Sequence, residues 1–239
     1  MRFSGRVDVS ENAACFARAV AQWMTDAALR LNGPIRIALS GGSTPRPVYS
    51  LLAAAEFRDL FPWERALWFF GDERFVPYDY PESNYRMAWE AMLSHVSVPA
   101  QNIFPIPTDG RPADAAQRYE QVLKQIYGRP DLNPEMPLFD IMLLGIGEDG
   151  HTASLLPGNP VLAERKRWVA EVAHGRPEIR ITLTYPAIES SRHVAFLLEG
   201  QSKSAIFAEI RSGRSDVPAA RVHPVGDITW FADRAAAGA

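Results

Sequence analysis

The stretch LFDIMLLGIGEDGHTASLLPG (Leu138–Gly158) sets the frame for the whole chain. Its first part, Leu138–Gly147, is the most apolar run in the sequence and is apolar on both faces. That pattern suits a central strand of a parallel sheet covered on both sides, not the edge of a half-solvated one. Its second part is a turn rich in glycine and acid, with Gly145, Gly147 and Gly150 around Glu148 and Asp149, and then a histidine, His151. In open α/β sheets, ligands lie outside the carboxyl ends of the strands, where this loop falls.

The rest of the chain repeats that alternation. A helical pattern runs from Ala14 to Ala28, with Ser10 as its cap and Gly33-Pro34 as its stop. Short strands are expected at Ile35–Ser40, Ala66–Gly71 and Asp227–Asp233, and in RWVAEVA, RITLTYP and RHVAFLLEG. Helices are expected at Pro45–Glu56 with Thr44 as N-cap, from Ser83 to Leu93, at Ala113–Tyr127 and at Ser202–Ser212, with a short one after Thr152 that ends before Pro157. Asn102–Pro107 reads as an extended piece broken by prolines. There is no internal repeat and no linker, so residues 1–239 are expected to form one α/β domain: a mostly parallel sheet with helices on both faces.

Composition narrows the function classes. The 239 residues are 47% hydrophobic and 22% charged, ordinary for a globular chain, and the formal net charge of −3 advertises neither nucleic acid nor an anionic membrane as a partner. No segment approaches the roughly 20 apolar residues of a membrane span, and the N-terminus lacks the apolar core of a signal peptide. Cys15 is the single cysteine, which rules out an internal disulfide and a cysteine metal framework; it is expected to be a small core residue. A reducing cytoplasm is the expected location.

Chemistry is expected where strands end. After the first of the strands above comes SGGSTPRPVY, where Gly41 and Gly42 allow a tight turn, Ser43 and Thr44 supply hydroxyls, and a helix N-terminus follows. Exposed N–H groups and the helix dipole suit a phosphate there, although a plain capped turn has the same composition. It is neither a Walker loop nor a nucleophile elbow. After the second comes GDERFVPYDYPESNY, with Asp72, Glu73 and Arg74 together; a solvated charge run is the competing reading. In the central loop, His151 can take a proton from water near neutral pH, and a neighbouring acid would fix its tautomer. The other histidines, His95, His174, His193 and His223, have no comparable glycine loop. Arg180 and Lys203, at a strand start and a helix start, are two further cations suited to phosphate.

Taken in order, LSGGSTPRPVYSLL, GDERFVPYDYPESNY, LLGIGEDGHTASLLPG, RITLTYPAI, EGQSKSAI and HPVGDITWFADRAA resemble the blocks of the 6-phosphogluconolactonase family, over nearly the whole chain. Asp-Glu-Arg followed by Val-Pro and Ser-Asn-Tyr separates the lactonases from the related glucosamine-6-phosphate deaminases, which typically carry Asp-Glu-Tyr. One departure is Glu148, where the family often has proline. The resemblance implies a Rossmann-like α/β fold, hydrolysis of 6-phospho-D-glucono-1,5-lactone in the oxidative pentose phosphate pathway, and no cofactor or metal. It implies His151 as general base, with Asp149 its partner. Arg74 and Asp72 would lie at the sugar end, and Gly41, Gly42, Ser43, Thr44, Arg180 and Lys203 would hold the substrate. Asp72 and Arg74 could equally anchor the segment Phe75–Pro81. The rival functions are an amino-sugar phosphate isomerase or deaminase, against which Arg74 speaks, and a sugar-phosphate sensor, for which the chain has no spare length or basic patch.

Overall fold

The computed structural model describes residues 3–239. In chain order the first half runs β1 (Arg6–Ser10), α1 (Ala13–Arg30), β2 (Ile35–Leu39), α2 (Pro45–Leu52), α3 (Ala55–Arg58), β3 (Ala66–Phe70), β4 (Asp72–Arg74), α4 (Asn84–Ala91) and α5 (Pro112–Tyr127). The second half runs β5 (Phe139–Gly145), β6 (Val169–Val172), β7 (Arg180–Leu183), α6 (Tyr185–Glu189), β8 (Ser191–Leu198), α7 (Ser204–Arg211), β9 (Asp227–Asp233) and α8 (Arg234–Ala237).

Six strands form one sheet in the order β1-β9-β8-β5-β2-β3, and every neighbouring pair is parallel. As its composition demands, β5 is central, with Phe139 to Leu144 all buried. From β2 the chain steps outward to β3, whereas from β5 it steps the other way through β8 to β9. Right-handed crossovers in opposite directions place helices on opposite faces and open a crevice where the direction reverses. That crevice lies between the ends of β2 and β5, whose register pairs Ile37 with Ile141 and Ala38 with Met142. Beyond it, the Ser40 hydroxyl accepts from the Gly145 N–H at 3.1 Å and ties the two following loops together. Two buried tyrosines finish the neighbouring strand ends: Tyr49 bonds both the N–H and the carbonyl of Ser40, and Tyr119 does the same for Phe70. Burial pushes both phenols far up, so they stay protonated donors.

Several expectations are corrected. RWVAEVA and RITLTYP do form strands, but β6 and β7 join β4 in a separate antiparallel sheet of order β4-β7-β6. β4 is Asp-Glu-Arg, which carries no apolar alternation to announce a strand. β1, also unannounced, forms one edge of the main sheet. Ser10 closes β1, and the cap of α1 is Asn12, whose side chain accepts from the Cys15 N–H. Cys15 is exposed: the buried face of α1 is Phe16, Ala17, Val20, Ala21 and Met24, and Cys15 falls on the solvent stripe with Arg18 and Gln22. The helix from Pro45 breaks after Leu52, and the chain re-enters as α3 with Phe57 in the core. Thr44 stands at the N-cap position but its side chain makes no capping bond. After His151 there is a turn with a Thr152–Leu155 bridge in place of a short helix, and Ala153 is left-handed at φ 47°. The expected helix at Ser202 begins as a 3₁₀ turn, Gln201–Lys203, before α7.

Candidate active site

The loops after β2, β3, β5 and β8 meet over the crevice and enclose a cleft of about 430 Å³. Gly41, Gly42, Ser43, Thr44, Asp72, Arg74, His151, Arg180 and Lys203 all line it, so nine of the ten expected residues share one surface. The tenth, Asp149, lies behind His151.

The loop after β5 is wound tightly. Gly147 N–H donates to the His151 carbonyl and Gly150 N–H to the Gly147 carbonyl, both at 2.9 Å. This packs the His151 ring against Gly147, where a Cβ would lie 2.0 Å from Nδ1. Asp149 Oδ1 is 2.5 Å from His151 Nδ1 and also accepts the His151 N–H at 3.1 Å. Arg176, from the loop between β6 and β7, donates from Nη2 to Asp149 Oδ2 at 2.8 Å. Burial opposes ionisation of Asp149, but the bonds from the His151 ring and N–H and from Arg176 outweigh it and hold the carboxyl at about 2. A carboxylate at this distance accepts a hydrogen bond from Nδ1–H, which keeps the proton on that nitrogen. The neutral ring therefore carries its lone pair on Nε2, the tautomer a base needs. Arg176 Nη2 also approaches Nδ1 to 3.0 Å, but with that proton in place the approach is a contact and not a hydrogen bond.

The cations have a different setting. Arg180 has a side chain only 14% exposed, and its nearest carboxylates, Asp72 and Glu178, are both 3.8 Å away. Its Nε is buried without a partner among the described residues. Burial lowers its pKa from the usual guanidinium value, with Asp72 opposing. A guanidinium desolvated this far and paired this loosely has charge to offer an anion in the cleft. Lys203 and the Gly41–Thr44 loop line the same cleft, although Lys203 is distant from both in sequence.

Asp72 is buried and accepts from the Ser154 hydroxyl at 2.6 Å and from Asn84 Nδ2 at 3.2 Å. Arg74 donates from Nη1 to the Glu82 carbonyl and to Asn84 Oδ1, at 2.7 and 2.6 Å. The bond to Glu82 grips the far end of the loop after β4, so Arg74 anchors that loop as well as lining the cleft. Glu73 points away, into the protein, where it receives the N–H groups of Arg74, Asn84 and Tyr85 and the Ser83 hydroxyl. Burial pushes its carboxyl up to about 7 against those donors.

The sequence reading missed Asn84 and Arg176. Asn84 had a signal, as the residue after the helix cap Ser83 and ten beyond Arg74. Arg176 had none, because its loop reaches the site only through the antiparallel sheet. Ser154, read as a cap, is a donor to Asp72. Glu199 and Ser202 also line the cleft.

A sequence model described as glucosamine-6-phosphate isomerases/6-phosphogluconolactonase matches residues 8–230. The chain belongs to this family. Within it, the chain is 40% identical over 218 residues to a 6-phosphogluconolactonase of Nostoc sp., covering 90% of this chain and 88% of that protein. The structure of a 6-phosphogluconolactonase from Trypanosoma cruzi superposes with a TM-score of 0.85 at 30% identity, over 100% of this chain and 97% of that one. A monomeric glucosamine-6-phosphate deaminase shares the fold, with a TM-score of 0.83 at 21% identity over 98% and 99% of the two chains. The family's α/β fold is thus the fold expected from the sequence. No helix among the described residues is long and apolar enough to cross a membrane.

Proposed function

We propose that this chain hydrolyses 6-phospho-D-glucono-1,5-lactone to 6-phospho-D-gluconate, as the second step of the oxidative pentose phosphate pathway, and that its 239 residues act as one domain in the cytoplasm. The observation that carries the reading is one cleft lined by a histidine that an aspartate backs from behind and, apart from it, by a buried and loosely paired arginine. The names of its relatives agree with it.

In this reading the phosphate sits among Arg180, Lys203 and the N–H groups of the Gly41–Thr44 loop and orients the ring. His151 Nε2 takes a proton from water as the water oxygen attacks the lactone carbonyl carbon. Asp149 stabilises the imidazolium that forms, and Arg176 holds Asp149. Arg74 has spent Nη1 on Glu82 and Asn84, and no other protein bond to its guanidinium exists among the described residues. The remaining donors serve the carbonyl oxygen as its negative charge develops. When the tetrahedral intermediate collapses, the bond to the ring oxygen breaks. That oxygen recovers the proton from Nε2 as a hydroxyl, and the new carboxyl group releases its own proton to solvent. The ester carbonyl needs no redox partner or group carrier.

The deciding experiment offers fresh lactone and glucosamine 6-phosphate in parallel. Acid release well above spontaneous hydrolysis, with no ammonia from the amino sugar, is expected. Ammonia release without lactone hydrolysis refutes the reading.

A further inference from the structure

Asn84 opens α4, lines the cleft and is 2% exposed as a residue. Its Nδ2 donates to the Asp72 carbonyl at 2.8 Å and to Asp72 Oδ1 at 3.2 Å, while its Oδ1 accepts from Arg74 Nη1 at 2.6 Å. The two ends of an amide are chemical opposites, so this orientation is the only one that fits: turned over, Nδ2 would face a guanidinium and Oδ1 a carboxylate. A third neighbour is steric. A Cβ on Gly41 would lie 1.8 Å from Asn84 Oδ1, so the start of the anion loop is shaped around this amide. From behind, Glu73 grips the backbone N–H of Asn84 at 2.7 Å and that of Tyr85 at 2.8 Å, clamping the first turn of α4 to β4.

Asp72 and Arg74 stand two residues apart on one strand, which puts both side chains on the same face. Opposite charges so placed ordinarily close on one another, yet no ion pair joins them among the described residues. Asn84 lies between them and bonds to each. We propose that Asn84 is a positioning residue for the hydrolysis, a neutral spacer that keeps the Arg74 guanidinium off the Asp72 carboxylate and in register with the Gly41–Thr44 loop. Without the spacer, Arg74 turns onto Asp72 and spends on it the donors that serve the carbonyl oxygen. The proposal rests on the lactonase reading for its kinetic meaning, but not for its geometry.

The test compares Asn84→Asp, Asn84→Ala, Gly41→Ala and the double variant Gly41→Ala/Asn84→Ala. Turnover is measured on fresh lactone, 6-phosphogluconate binding by calorimetry, and folding by thermal midpoint. Both Asn84 variants should lower kcat by roughly 10²-fold, the cost of about 1 Å of misplacement, with product affinity kept because Arg180 and Lys203 are untouched. Gly41→Ala should lower kcat likewise by pushing the amide out, with product affinity also exposed to the change in the anion loop. In the double variant the new methyl takes the room the amide leaves, so its kcat should equal that of Asn84→Ala alone. A lower midpoint with wild-type kcat per folded molecule in the Asn84 variants, or single effects that multiply in the double variant, overturns the proposal. Should the wild type itself fail to hydrolyse the lactone, the reading of the function falls and a crystal structure of Asn84→Ala still decides the spacer: Arg74 paired with Asp72 upholds it, and Arg74 unmoved overturns it.

Discussion

Replacing Arg180 with methionine separates the charge of this side chain from its bulk. In the folded protein the guanidinium is buried, its nearest carboxylates are 3.8 Å away, and Nε has no partner among the described residues. Little protein stability is therefore invested in it, and a phosphate in the cleft receives most of its field. A pair of unit charges about 4 Å apart in surroundings of effective dielectric near 20 attract by about 4 kcal/mol. Charge pairs of this kind cost roughly 2–5 kcal/mol when one member is removed. Affinity for 6-phosphogluconate should thus fall between about 30-fold and several thousand-fold. Gluconate, which lacks the phosphate, should bind wild type and variant alike. The thermal midpoint should fall only modestly, since Asp72 loses a cation 3.8 Å away but keeps its bonds from Ser154 and Asn84. Calorimetry with both ligands on one preparation measures all of this. Unchanged 6-phosphogluconate affinity, or an equal loss for gluconate, means that Arg180 does not meet the phosphate.

Four further outcomes follow from the geometry. His151→Ala should lower turnover by about 10²–10⁴-fold with product binding kept; near wild-type turnover, corrected for spontaneous hydrolysis, removes His151 from the role of base. Gly147→Ala places a methyl 2.0 Å from His151 Nδ1, so the ring must move and turnover should drop while the midpoint holds; an active variant shows that the ring has room. The Asp149 carboxyl is held at about 2 against 3.8 when free, so its stabilisation is complete above 3.8 and is lost as pH falls from there through 2. Asp149→Asn should flatten that part of the acid-unfolding curve, by a small amount because solvent screens so exposed a pair; superimposable curves contradict the pairing. Arg74→Lys should lower turnover and kcat/KM together, and a lowered midpoint with unchanged single-turnover rate would make Arg74 an anchor alone.

The main sheet was legible because a buried parallel strand has to be apolar on both faces, and β2, β3, β5 and β8 announce themselves in that way. The loops that carry the site were legible for the complementary reason: glycine, hydroxyl and charge directly after such a strand have few structural explanations. The second sheet was not legible, because the partner that makes Asp72–Arg74 a strand is β7, whose register pairs Asp72 with Thr182 and Arg74 with Arg180 across more than a hundred residues. Arg176 was invisible for the same reason, and Asn84, although it follows the helix cap Ser83, showed none of its bonds. Their significance is a matter of what they touch, and local composition does not record it. Cys15 was misplaced by one step of helical phase, an error that a small apolar residue beside Phe16 invites.

Gly71 belongs to both sheets. Its N–H donates to Leu39 of β2 at 2.9 Å, its carbonyl accepts from Leu183 of β7 at 2.8 Å, and β3 runs through it into β4. The proposed base is therefore mounted on one framework, at the end of β5, while Arg74 and Arg180 are mounted on another, joined to the first at this residue and through the Ser154–Asp72 and Arg176–Asp149 bonds. A substitution in β4 or β7 is therefore expected to shift Arg74 and Arg180 relative to His151 without touching the strand that carries the histidine.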